Sequence, residues 1–304
     1  MTSTPEKAPA LTRFAWISVA AALATIGLKS AAYFYTGSVG FLSDAAESLV
    51  NLVGALVALA MLTIAARPAD EEHTYGHSKA EYFSSGIEGT LILVAALSIA
   101  YAAVQRLLNP RELEQVGLGL IVSAAASLIN LGVGLLMIRI GKSRGSLALE
   151  ANGRHLMTDV WTSVGVIAGV GAVALTGWNW LDPVVALGVA ANIVWTGLGI
   201  IRRSVGGLMD SALPPENQAL IQGVLEEYRK GGIQFHALRT RQAGARAFAE
   251  FHVLVPGEWT VHRGHQLTEE VTRALQKALP NLVVLTHLES LSDPGSWDDP
   301  GLDR

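Results

Sequence analysis

Asp44, Glu47 and Asn51 place two acids and an amide inside Ser43-Asp44-Ala45-Ala46-Glu47-Ser48-Leu49-Val50-Asn51, a stretch that otherwise reads as membrane. On a helix, positions i, i+3 and i+7 share one face, so the three side chains line up. From Leu49 to Ala66, Asn51 is the only strongly polar residue, and a run of that length is a candidate span. An ionised group at membrane depth costs roughly 3 kcal/mol on insertion scales, so this face must meet a partner or a cavity. The expected partner is His155-Leu156-Met157-Thr158-Asp159, where His155 and Asp159 stand one turn apart at the start of another apolar run. Oxygen and nitrogen donors from two such helices could hold one divalent cation. The competing reading is a buried polar cluster that only locks helices together.

The rest of the chain must position those residues. Half of its 304 residues are hydrophobic and only 16% are charged, too apolar for an ordinary soluble domain and suited to a polytopic membrane protein. With no cysteine, disulfides, thiolate metal sites and cysteine nucleophiles are excluded. The net charge of -4 and the lack of a basic tract give no reason to expect nucleic acid. Residues 1–10 form a polar tail, and the apolar run after it is long enough to span, so no cleavable signal is expected.

Six spans are expected within residues 11–208: Phe14 to Thr36, Phe41 to Ala66, Gly86 to Gln105, Val116 to Ile140, Leu147 to Leu175 and Pro183 to Ile201. Lys29 either snorkels to the headgroups or partly neutralises Asp44 inside the bundle. Glu88 and Asn130 are further polar residues within spans, and Trp178 and Trp180 mark an interfacial aromatic turn. Gly165 and Gly169, four apart, make a small-residue face for close helix approach. Lysines and arginines gather on one side, at Lys7, Arg13, Arg67, Lys79, Arg139, Lys142, Arg144, Arg202 and Arg203, which puts both termini in the cytoplasm of a multi-pass inner (plasma) membrane protein.

After Arg203 the composition shifts, and residues 209–290 read as a small α+β domain. A proline-started helix runs from Glu216 to Lys230 and strands from Ile233 to Gln242 and Ala247 to Val255, followed by an amphipathic helix from Val261 to Ala278 and a strand from Val283 to Ser290. That order suits helices on one face of a small sheet. Residues 291–304, rich in Pro, Gly and Asp, are expected to be disordered.

Three motifs resemble the cation diffusion facilitator family: Ser-Asp-Ala-x-x-Ser-Leu-x-Asn at 43 to 51, Pro-Ala-Asp-x-x-His-x-Tyr-Gly-His-x-Lys-Ala-Glu at 68 to 81, and His-x-x-x-Asp at 155 to 159. The resemblance covers about Leu11 to Ser290 and implies six transmembrane helices followed by a cytoplasmic ferredoxin-like domain. It implies a homodimer that exchanges cytoplasmic divalent metal for protons, through a site of Glu47, Asn51, His155 and Asp159 with Asp44 beside it. It further implies a loop metal site at Asp70, His73 and His77, and metal positions at His236, His252, His265, His287 and Glu289 in the C-terminal domain. Lys79 and Asp210 resemble positions that form an ion pair at the membrane surface of family dimers. The family's usual zinc pattern has His or Asp at position 47 and Asp at position 51, where this chain has Glu47 and Asn51. Zinc comes first among the expected ions, with iron, cobalt and manganese as alternatives.

Carboxylates and histidine must lose protons before they bind metal, so metal and protons compete for one site, and alternating access would let an inward proton gradient expel the metal. No enzyme is expected: His-Glu-x-x-His is absent and no serine–histidine arrangement presents itself. A membrane-anchored metal sensor or binding protein without transport is the alternative, although it would not need acids buried in two spans.

Overall fold

A computed structural model describes residues 11–36, 39–109, 116–178, 180–229 and 232–298, with the side chains of 33, 35–36, 39–47, 50, 116–120, 123, 166–167, 169–174 and 182 outside that description. The chain divides into two compact units, Met1–Val205 and Gly206–Arg304.

The first unit is helical: α1 (Thr12–Thr36), α2 (Val39–Ala65), α3 (Ala80–Leu108), α4 (Val116–Arg144), α5 (Leu147–Thr176) and α6 (Leu181–Leu208). Among the described residues four stretches are long and apolar enough to cross a membrane, Thr12–Ala32, Ala80–Leu108, Ala124–Arg144 and Pro183–Leu208, and Asn51–Ala65 is a shorter apolar helix. Helices α3 and α6 extend beyond the spans expected at Gly86 to Gln105 and Pro183 to Ile201, and polar residues at the added ends find partners. Glu81 accepts from Ser146 Oγ in a buried contact. Arg203 reaches Glu150 with two parallel bonds, at 2.8 and 2.9 Å.

Small residues bring the helices together. A Cβ on Gly153 would lie 2.8 Å from Gly134 O and from Ile138 N, so α4 and α5 touch backbone to backbone. Helices α3 and α6 meet likewise at Gly89 and Gly197, and Gly165, one of the two glycines of the small-residue face, packs against Val189 of α6. The outward faces keep large apolar residues exposed, including Trp16, Leu97, Tyr101, Leu128 and Trp195. Trp178 and Trp180 stack between α5 and α6 with ring centroids 5.7 Å apart.

The second unit holds α7 (Pro215–Tyr228), β1 (Gln234–Ala243), β2 (Arg246–Val255), α8 (Val261–Ala278) and β3 (Leu282–Ser290). Proline at the first helical position starts α7, and the Thr260 hydroxyl caps α8 by accepting from Arg263 N. The sheet order is β1-β2-β3, with β1 antiparallel and β3 parallel to β2, and α8 is the crossover between the parallel pair. Ile221, Leu225, Leu267, Val271 and Leu275 from the helices bury Phe235, Ala249, Phe251 and Val253 from one face of the sheet. Asp210 pairs with Arg241 Nη1 at 3.1 Å. Within residues 291–304, Pro294–Trp297 form a short 3-10 helix whose N-cap, Asp293, accepts from Gly295 N. Proline fixes the first dihedral and the Asp carboxylate satisfies the free amide, so this composition makes a turn here.

Candidate metal sites

The first site is built where the polar faces of α2, α4 and α5 converge. Asn51 Oδ1 lies 2.7 Å from His155 Nε2, and Asn51 Nδ2 donates to Asp159 Oδ2 at 2.5 Å. The same Asp159 oxygen accepts from Asn130 Nδ2 at 2.8 Å. Asn51, Asn130 and His155 are all buried. Spacing alone brings Asn152, His155 and Asp159 to one stripe of α5. Asn51 therefore joins the other two described members of the expected transport site, His155 and Asp159, whereas the side chains of Asp44 and Glu47 lie outside the described residues.

Hydrogen-bond chemistry fixes the roles. A carboxylate only accepts, so Asn51 turns its nitrogen to Asp159 and its oxygen to His155. That oxygen also only accepts, so the 2.7 Å contact needs a proton on His155 Nε2. The other ring nitrogen, Nδ1, is 3.0 Å from Glu88 Oε2, and Glu88 Oε1 takes Asn152 Nδ2 at 2.9 Å. Among the described residues Asn130 Oδ1 is buried without a hydrogen-bond partner, a spare oxygen donor beside Asp159.

The second site is the loop after α2. Asp70 Oδ1 accepts from His73 N at 2.7 Å and lies 3.3 Å from His73 Nδ1, while Asp70 Oδ2 is 3.3 Å from His77 Nε2. The Pro68 carbonyl lies 3.2 Å from His77 Nδ1, where it can accept from that nitrogen, and Nε2 is the ring nitrogen on the Asp70 side. The backbone amide of His73 is the main cause that holds Asp70 below the ordinary carboxylate range, with smaller help from the two histidines. All three expected loop ligands can point at one ion.

The third site lies on the face of the sheet that α8 leaves uncovered. His236, His252 and His287 are register partners across β1, β2 and β3, one imidazole per strand in a single row. Glu289, two residues beyond His287, shares that face. Glu289 Oε2 is 3.0 Å from His236 Nε2 and 3.3 Å from His252 Nδ1, close to the separation of about 3.3 Å expected between two ligands of one tetrahedral ion with bonds of about 2.0 Å. A β-bulge between His236 and Arg239, with Ala237 at φ 52°, turns the His236 end of β1. His236, His252 and Glu289 can reach a common ion. His287 is more peripheral, exposed and 3.8 Å from Glu289 Oε1. His265 does not join them: it sits on the exposed face of α8, and that helix packs over the opposite side of the sheet.

Sequence reasoning noticed Glu88 and Asn130 without assigning them to a site, and it passed over Asn152. The available signal was a lone polar residue in an apolar helix, which marks a functional candidate without naming its partner. Trp297, read as part of a disordered tail, lies with its ring 5.7 Å from that of His236.

Comparison with known proteins follows the same division. Residues 15–209 match the model of the cation efflux transmembrane domain, and residues 213–291 match that of the cation efflux protein cytoplasmic domain. An uncharacterized transporter of Synechocystis is 53% identical over 94% of this chain and 93% of its own length. The cation-efflux pump FieF of Klebsiella pneumoniae is 30% identical over 94% of this chain and 93% of its own. That of Shewanella oneidensis is 29% identical over 89% and 90%.

Proposed function

The chain belongs to the cation diffusion facilitator family of cation-efflux transporters, and from that premise we propose that it exports a divalent transition-metal cation from the cytoplasm in exchange for protons. The coarser part, a membrane protein for divalent metal efflux, follows from the family; the ion and the coupling are our reading. Zinc stands first because affinity at nearly any such site follows the Irving–Williams order, with iron, cobalt and manganese behind it. In this reading six helices cross the inner membrane with both termini cytoplasmic, residues 209–290 fold as a ferredoxin-like cytoplasmic domain, and two copies form a dimer.

The observation that carries the exchange is the contact between His155 Nε2 and Asn51 Oδ1. The nitrogen facing the cluster holds a proton while it bonds an amide oxygen, and a metal can take its place only when that proton leaves. Asp159, held by two amide donors, supplies the anionic oxygen that the ion would meet. Glu47 and Asp44 complete the ligand set on the helical face that carries Asn51. The loop and sheet clusters are separate binding sites outside the spans, suited by their imidazole and carboxylate donors to the same ions.

Purified protein in liposomes tests this reading. A pH step, acidic on the side from which the antiported protons enter, should drive zinc uptake that is lost in His155→Ala and Asp159→Ala. Uptake unaffected by the gradient would remove the proton coupling, and uptake unaffected by both substitutions would remove the site.

A further inference from the structure

We infer that Asn130 of α4 is a further ligand of the transported ion, one whose amide oxygen narrows the preference of the site for zinc over manganese. This rests on the reading of His155 and Asp159 as the transport site. Asn130 Nδ2 donates to Asp159 Oδ2 at 2.8 Å, so the amide stands beside the carboxylate that the ion would meet. The oxygen and nitrogen of an amide are about 2.2 Å apart, which keeps Asn130 Oδ1 within about 5 Å of that carboxylate oxygen. Asn130 is 4% exposed, and its Oδ1 is buried with no hydrogen-bond partner among the described residues. The other amide of the cluster differs here, since Asn51 Oδ1 is engaged with His155 Nε2. A buried acceptor left unmet is costly, and a cation at Asp159 would satisfy this one. A residue that only held Asp159 through its N–H would leave the buried oxygen unaccounted for.

Helix α4 is pinned to α5 on both sides of the amide. One turn before Asn130, Ser127 Oγ donates at 2.6 Å to Ser163 Oγ, which stands one turn beyond Asp159. One turn after it, a Cβ on Gly134 would lie 3.1 Å from Gly153 O and 3.4 Å from Leu156 Cβ. A donor carried by two helices so tightly joined is held in place for its ion. Its chemistry sets the direction of the effect. A carbonyl oxygen is a hard donor that suits manganese, whereas imidazole suits zinc. The added oxygen therefore strengthens manganese more than zinc, although zinc keeps the higher affinity.

The experiment uses full-length protein in lipid bilayers with manganese(II) as the probe, and follows the component of binding that His155→Ala and Asp159→Ala remove. Asn130→Ala should weaken that component by about 10-fold or more, the scale on which even an outer partner of a metal acts. Zinc should weaken by a smaller factor, so the zinc to manganese preference rises. Asn130→Asp gives up the donor to Asp159 but keeps an oxygen, and should bind manganese at least as tightly as wild type. A direct readout comes from asparagine labelled with carbon-13 at the side-chain carbonyl. Paramagnetic resonance of bound manganese should show an isotropic carbon coupling, carried through the bonded oxygen, that Asn130→Asp with unlabelled aspartate removes. The loop and sheet clusters contain no asparagine and add no such signal. If Asn130→Ala does not fold, the affinity of Asn130→Asp and the carbon coupling decide alone. Equal losses in Asn130→Ala and Asn130→Asp would overturn the inference, because only the N–H would then matter. Unchanged manganese binding in Asn130→Ala, equal losses of both metals, or no coupling lost in Asn130→Asp would overturn it as well. If neither His155→Ala nor Asp159→Ala removes manganese binding, it is the transport site that falls, and Asn130 with it.

Discussion

Asn51 donates to Asp159 Oδ2 at 2.5 Å, so position 51 supplies a hydrogen-bond donor where a carboxylate would bring a second acceptor. Asn51→Asp would set two acidic oxygens against each other in a buried site. A metal-free buried group left without its partner costs about 1–3 kcal/mol. We expect the variant to melt at a lower temperature without metal and to regain that loss in zinc, with zinc affinity raised about tenfold for each 1.4 kcal/mol relieved on binding. Melting curves with and without zinc check both signs.

The ion itself should respond to position 47. Glu47→His exchanges an oxygen donor for a nitrogen one and should move preference from manganese toward zinc. Paired uptake assays with the two ions measure it, and an unaltered ratio would mean that Glu47 does not ligate the ion.

The loop site has a defined pH behaviour. Asp70 is held below the ordinary carboxylate range, so its charge is present at and above that range and disappears only on further acidification. The factor by which Asp70→Asn weakens metal binding at this site should therefore be the same at pH values of about 5 and about 7, both above that range. Equilibrium dialysis at the two pH values gives the ratio.

On the sheet, rank follows position in the row. His252 stands between His236 and His287 and beside Glu289, whereas His265 lies on the other layer. His252→Ala should lower metal bound per chain at this site, and His265→Ala should leave it unchanged in a protomer. Metal counting on the two full-length variants separates them.

Helix packing offers a stability contrast. Gly153→Ala drives a methyl to 2.8 Å from Gly134 O, a backbone atom that cannot give way locally, and should destabilise the unit by about 1–3 kcal/mol. Gly132→Ala meets nothing within 4 Å and should be neutral or gain up to about 1 kcal/mol of helix propensity. Thermal unfolding in one detergent compares the pair.

What could be read in the sequence was what depends on local period. Asn51, and His155 with Asp159, announced themselves by sharing helical faces, and the strands of the second unit by their alternation and turn residues. The loop ligands and the sheet row came from motif resemblance rather than from spacing. What could not be read needed packing between distant helices: nothing near Glu88 in sequence says that α3 brings it to His155, and nothing near Asn130 points to Asp159. The same holds for His265, which motif matching grouped with the sheet row although it is on a different layer. At the tail, composition pointed to disorder, while Asp293 and Pro294 closed a turn.

That turn gives the sheet site an optical reporter. Trp297 holds its indole 5.7 Å from the His236 ring, and its Nε1 donates to Leu291 O at 3.4 Å. A coloured or paramagnetic ion bound by His236, His252 and Glu289 would sit within energy-transfer range of that indole. Occupancy of this one site can thus be followed as a loss of fluorescence that Trp297→Phe abolishes, with no label added to the protein.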